Sequence, residues 1–227
     1  MKLLIVNADD LGASRGINCG VFEAHRNGIL TSASLLVNTR WSEEAANMSQ
    51  GMSGLSVGLH ADLADDLQRW PNASRLRSSL DSQLERFQQL LGCLPSHLDS
   101  QYNVHRDARA LPVFLDFAGQ YHLPLREHSS VRHFPKFYGQ SGGQTHFQRI
   151  SAQNLAKMLR SEIEEGVTEL TCHPGYVDRD LHMGYTIERE AELRSLCSPE
   201  VRETIAEQGI ELISYHDLRK LLVPIAG

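Results

Sequence analysis

The sequence predicts an α/β fold on a parallel sheet, and three observations carry that prediction. Apolar strand-like runs alternate with helix-like segments along the chain, and regular βα alternation places consecutive strands parallel with helical crossovers. The chain has 227 residues, and single (β/α) barrels of roughly 200–250 residues are common as one domain. The segment after the first strand, Gly12-Ala13-Ser14-Arg15-Gly16, has neither the G-x-G-x-x-G spacing nor the P-loop Lys, so dinucleotide and nucleotide readings lose their support. Periodicity alone leaves an open doubly wound sheet and a closed (β/α) barrel. The missing fingerprint weighs toward the barrel.

Seven strands are expected, over residues 3–7, 33–38, 55–59, 97–100, 123–126, 167–172 and 210–214. Helical spacing is clearest at Leu80, Leu84, Phe87 and Leu91, and again at Leu155, Leu159 and Ile163. Gly28, Gly92, Gly166 and Gly209 stand where those helices should stop, and Ser198-Pro199-Glu200 reads as a cap, a Pro in the first turn and an acid. Residues 128–150 show no clear period and read as a lid-like loop insertion within one domain spanning 1–227.

The net charge of −6 and pI near 6.0 exclude the electrostatic footprint of nucleic-acid binding, and no Lys/Arg block occurs. A small, neutral or weakly charged ligand is the expected partner. The first apolar run is too short for a leader h-region and no later run reaches membrane-span length, which gives the expectation of a cytoplasmic protein. Cys19, Cys93, Cys172 and Cys197 are dispersed, with no CxxC; they read as reduced thiols.

Residues capable of chemistry cluster at the carboxyl ends of the expected strands: Asp9 and Asp10, Asn38, His60, Asp99 to His105, Arg126 and Glu127, His173, Tyr215 and His216. In a parallel barrel those ends share the face on which active sites are built. One Asp and two His from separate strands suit a divalent ion with positions left open for water and substrate. Blander roles exist for each. Asp9-Asp10 can be turn acids ahead of a helix, His60 and His97 can be hydrogen-bonded core residues, and His173-Pro174-Gly175-Tyr176 can be a structural turn. Trp41, Trp70, Phe134, Phe137 and Tyr138 are core residues by default and sugar-stacking faces by alternative.

The blocks LLIVNADDLGASRGINCGVFEAHRNGILTSASLLVN, VGLHADL, HLDSQYNVH and ELTCHPGYVD, with the tail YTIEREAELRSLCSPEVRETIAEQGIELISYHDL, resemble the YdjC-like family of carbohydrate deacetylases. That family includes chitooligosaccharide deacetylases and a hopanoid-biosynthesis branch. The resemblance implies a distorted, TIM-barrel-like (β/α) barrel of about seven parallel strands. It also implies one divalent metal ion, Mg or Zn, hydrolysis of the acetyl group from an N-acetylated amino sugar, and a homodimer. Carried over residue by residue, Asp10 and His60 are metal ligands, Asp9 the general base and His173 the acid. Arg126 and Tyr176 are substrate-binding candidates, Arg126 by orienting a carboxylate. The departure is Gln101, which stands where the family usually has a metal histidine. Either His105 supplies the third ligand, or Gln101 does so with weaker binding; the second case leaves a carbohydrate-binding protein with little or no catalysis as the rival reading.

Overall fold

The computed structural model describes residues 1–69, 72–180 and 184–222; Trp70 and His182 lie outside the described residues. Seven strands form one parallel sheet that curls into a distorted (β/α) barrel: β1 (Lys2–Leu11), β2 (Ser32–Leu35), β3 (Ser56–Ala61), β4 (Leu98–Ser100), β5 (Arg132–Phe134), β8 (Gly166–Cys172) and β9 (Ile210–Leu212). Their order is β4-β3-β2-β1-β8-β5, with β9 also paired to β1. A separate antiparallel hairpin joins β6 (Gln140–Ser141) to β7 (Gln144–Thr145).

β1 is the hub. One edge pairs with β8 from Lys2↔Gly166 to Ala8↔Cys172. On the other edge β9 takes its first residues and β2 its last. A strand enclosed on both edges and both faces reads as a nearly continuous apolar run, and Leu4, Ile5, Val6 and Ala8 are all fully buried.

The helices are α1 (Arg15–Asn27), α2 (Ser42–Gln50), α3 (Ala64–Arg69), α4 (Ala73–Leu91), α5 (Leu111–Tyr121), α6 (Ala152–Ser161), α7 (Ile187–Leu196), α8 (Pro199–Glu207) and α9 (Tyr215–Leu222). The side chain of Ser14 caps α1 by accepting from Ile17 N–H at 3.1 Å, and Asn72 caps α4 through Arg75 N–H at 2.8 Å. Gly92 ends α4 in the left-handed conformation at φ 71, the expected stop. Leu76, Leu80, Leu84 and Phe87 form the buried stripe of α4. Phe117, Phe134 and Phe137 belong to the same continuous core.

Two expected elements differ. Residues 123–126 make an isolated bridge, Leu98↔Leu125, because Pro124 has no N–H to continue a ladder; its carbonyl still accepts from Leu98 N–H at 2.9 Å, and Arg126 N–H donates to Leu98 at 3.0 Å. Residues 128–150 are not an unstructured insertion. They contain β5, a sheet strand beside β8, and the β6–β7 hairpin, which turns through Gly142 and Gly143 at φ 58 and 76, the left-handed pair a two-residue hairpin needs.

Candidate active site

β1 delivers both acids by breaking its own regularity. Neighbours in a strand face opposite sides, but the pairing of β1 with β2 shifts register between Ala8 and Leu11, and Asp10 takes φ 67. This left-handed residue, costing about 1–2 kcal/mol, turns Asp10 back so that Asp9 and Asp10 line one cavity of about 400 Å³.

Asp9 is gripped by Arg126, whose Nη1 and Nη2 donate to its two oxygens at 2.9 and 2.7 Å. Asn7 Nδ2 adds a third donor at 3.0 Å. Burial raises the Asp9 pKa, but the Arg126 charge and hydrogen bonds outweigh it and leave the carboxyl below its ordinary value. Arg126 is 2% exposed and also donates to Glu169, from Nε at 3.0 Å and Nη2 at 2.7 Å, with Asp99 a further 2.6 Å ion pair. Its fork is spent on protein carboxylates and holds Asp9 in one orientation.

Asp10 receives Arg189 Nη2 at 2.6 Å. Burial works against the charged form, yet Arg189 and then His60 hold its pKa down to about 2. His60 lies between two acids: Nδ1–H donates to Asp99 at 2.7 Å, and Nε2 stands 3.6 Å from Asp10. Burial alone would lower the His60 pKa; Asp99, then Asp9 and Asp10, raise it to about 9.

His97 is a core residue. Ser34 donates to Asp99 at 2.6 Å, so His97 Nε2–H donates to Ser34 at 3.0 Å and Nδ1 accepts from Ser96 at 2.9 Å. Its ring stacks on Tyr215 at 3.9 Å, and burial pushes its pKa down to about 4.

His173 ends β8, with Nε2 at 4.0 Å from Asp9 Oδ2 and its backbone N–H donating to Glu192. Tyr138 and Tyr185 stack at 4.6 Å, and both rings sit 5.4 Å from the imidazole. Burial lowers the His173 pKa, and burial raises that of Glu192 to about 8. The turn behind His173 is seated on α1 through glycine: a Cβ on Gly20 would lie 2.5 Å from Gly175 Cα.

The YdjC-like protein family matches the chain over residues 3–207. The chain belongs to the YdjC-like family. Among relatives of this YdjC-like chain, the chitooligosaccharide deacetylase of Proteus mirabilis (strain HI4320) is 33% identical over 255 residues, covering 95% of this chain and 98% of that one. The carbohydrate deacetylase of Geobacillus stearothermophilus is 35% identical over 253 residues, with 97% and 99% covered. A solved structure from Enterococcus faecalis V583, described as a candidate cellobiose-phosphate cleavage protein, superposes with a TM-score of 0.83 at 27% identity, covering 96% and 98%. The family 4 acetyl xylan esterase of Clostridium thermocellum, solved with a cobalt ion, shares the fold at a TM-score of 0.58 and 15% identity, covering 97% of this chain and 91% of that one.

The donor set of this YdjC-like chain fits a divalent cation. Asp9, His60 and Asp99 each bring a possible ligand atom within 4.8 Å of the others. Asp99 is already committed to His60, Ser34 and Arg126, which makes it the carboxylate that fixes the His60 tautomer and leaves Nε2 facing Asp10. Gln101 is 5% exposed and lines the same cavity, and its Oε1 is buried without a hydrogen-bond partner. The carboxylates of Asp9, Asp10, Asp99 and Glu169 outnumber the guanidiniums of Arg126 and Arg189 by two charges. That excess matches one dication with His60 neutral.

Two expected site residues lie elsewhere. His105 is fully buried, tied at Nδ1 to Ser100 Oγ at 2.7 Å and edge-on to Phe114, and it is absent from the cavity wall. Tyr176 is 39% exposed, donates to Glu23 at 2.6 Å and is likewise off the wall. Trp41 is the half-buried N-cap residue of α2, with Arg40 over its ring. Arg189, Glu192 and Glu169 were not expected; the first two come from α7, whose inner face is charged where a helix normally buries apolar residues.

Proposed function

We propose that this chain is a metal-dependent hydrolase that removes the acetyl group from N-acetylated amino sugars. The observation that carries the reading is the cavity in which Asp9, Asp10, His60, Arg126 and His173 meet, in a family whose relatives above are named deacetylases of carbohydrate and chitooligosaccharide. Asp10, His60 Nε2 and Gln101 Oε1 would hold the metal, which when bound supplies Lewis-acid polarisation of the acetyl carbonyl and charge for the developing oxyanion.

The other roles belong to the chain. Asp9, held ionised by Arg126, takes a proton from the attacking water. As the water oxygen bonds to the acetyl carbon and the C–N bond breaks, His173 gives a proton to the departing amine. Its burial-lowered pKa leaves His173 neutral before attack, so the proton it delivers is the one Asp9 took from water, relayed from Asp9 Oδ2 to His173 Nε2 across 4.0 Å. The products are acetate and the free amino sugar. Four free cysteines suit a cytoplasmic site of action.

Acetate release from N-acetylglucosamine and its β-1,4 oligomers, with Mg²⁺, Mn²⁺, Co²⁺ and Zn²⁺ in turn, tests this. Release requires a dication and falls by roughly 10²–10⁴ in Asp9→Asn. No release under any metal, restored by Gln101→His, favours the second reading, a carbohydrate-binding protein whose amide at position 101 has cost it catalysis.

A further inference from the structure

Tyr102 is the large aromatic side chain least explained by packing. It is 73% exposed and yet lines the cavity. Its backbone is left-handed, φ 53 and ψ 20, and Asn103 follows at φ 54 and ψ 38. Two successive left-handed non-glycine residues persist only where the surroundings over-determine them. Here Ser100 Oγ accepts from His105 N–H at 3.0 Å and pairs with His105 Nδ1 at 2.7 Å, while Gln101, Val104 and His105 are buried on either side. The clamp closes the turn and leaves Tyr102 standing in solvent at the cavity mouth. The fold gains no burial from that ring.

The cavity, about 400 Å³, is near the small end of ligand sites. The acetamide has to reach Asp9, Asp10 and His60 on the cavity wall, so the sugar that bears it occupies the cavity and a neighbouring ring extends toward the exposed rim where Tyr102 stands. Tyr138, 37% exposed on the same wall, is already stacked on Tyr185, whereas no ring contact of Tyr102 is made with another described aromatic.

We propose that Tyr102 is a specificity-determining residue, its ring stacking on the apolar C–H face of the sugar adjacent to the one being deacetylated, so that the site selects chains of two or more sugars. The proposal rests on the deacetylase reading for its kinetic form and stands on binding alone for its chemistry. Aromatic rings offer a large, rigid apolar face at small entropic cost.

The test uses the metal-loaded full chain with N-acetylglucosamine and its β-1,4 di- and trisaccharides. Variants are Tyr102→Phe, which keeps the ring, and Tyr102→Asn, which removes it while tolerating the left-handed backbone. Acetate release gives KM and kcat, and saturation-transfer NMR gives binding without reaction. Tyr102→Asn raises KM for the disaccharide roughly tenfold, leaves kcat and the monosaccharide KM unchanged, and abolishes saturation transfer to the second ring; Tyr102→Phe behaves as the parent. Ring-dependent oligomer binding with no acetate release supports Tyr102 while sinking the deacetylase reading. Equal KM changes for mono- and disaccharide, no change in either, or no oligomer binding by the parent protein overturns the proposal.

Discussion

Arg126 holds Asp9 by two parallel N–H···O bonds of 2.9 and 2.7 Å, and both residues are buried. A guanidinium fork imposes an orientation as well as a charge. Arg126→Lys keeps the charge and loses the fork, so kcat falls by about 10² with little change in KM. Arg126→Gln leaves Asp9, Asp99 and Glu169 without their cation and destabilises the fold by about 3–5 kcal/mol. Steady-state kinetics beside urea denaturation separates the two effects; an Arg126→Lys variant with parental kcat would refute the orienting role.

Asp99 sets the tautomer of His60 through the 2.7 Å bond to Nδ1. Asp99→Asn offers no comparable acceptor charge, and metal affinity falls by roughly 10- to 100-fold. Calorimetric titration with Mn²⁺ or Zn²⁺ measures it, and unchanged affinity would remove Asp99 from the site.

Gln101 and His105 make opposite predictions. Gln101→His replaces a neutral amide oxygen with an imidazole, and affinity for Zn²⁺ rises at least about tenfold while that for Mg²⁺ does not. His105→Gln, away from the cavity, leaves both affinities unchanged. The same titrations decide, and metal lost in His105→Gln but kept in Ser100→Ala, which breaks the same Ser100–His105 contact, would restore His105 as ligand.

The metal-free protein has a stability maximum near pH 6.5: the buried, neutral His97, His105 and His173 have lowered pKa values, and their contribution, present above about 6.5, is lost as pH falls. His60, raised to about 9, contributes about 3 kcal/mol fully present below its unfolded value near 6.5 and lost as pH rises through 9. Glu192, raised to about 8, pushes the same way, its stabilisation fading from about pH 4.5 to 8. On the acid side Asp9, Asp10 and Asp99 have lowered pKa values; their contribution is present above pH 4 and lost as pH falls. A dication displaces the His60 proton, so apparent metal affinity climbs with pH up to about 9 and levels above it. Urea midpoints across pH 4–9.5, with and without metal, check both arms.

The strand-end rule located Asp9, Asp10, His60, Arg126 and His173, because β1, β3, β8 and the Leu125 bridge all point their carboxyl ends at one cavity. It could not separate Gln101 from His105, which share a turn whose left-handed residues reverse the direction of successive side chains. β5 was hidden because its three residues carry no alternation and its pairing with β8 is non-local. Glu169 was hidden inside an apolar strand. Arg189 and Glu192 were hidden because a charged inner helix face has the same spacing as an apolar one, and only the site it covers explains it.

The central place of β1 also governs when the site comes into existence. Lys2 pairs with Gly166, and Leu4 with both Thr168 and Leu212, so the acids at residues 9 and 10 wait for partners made more than 150 residues later. Such distant closures are slow. A ribosome that has released only the first half of the chain has exposed Asp9, Asp10 and His60 without Arg189 or His173. The complete cavity therefore exists only in the finished fold, and two of its earliest lining residues are among the last to acquire their surroundings.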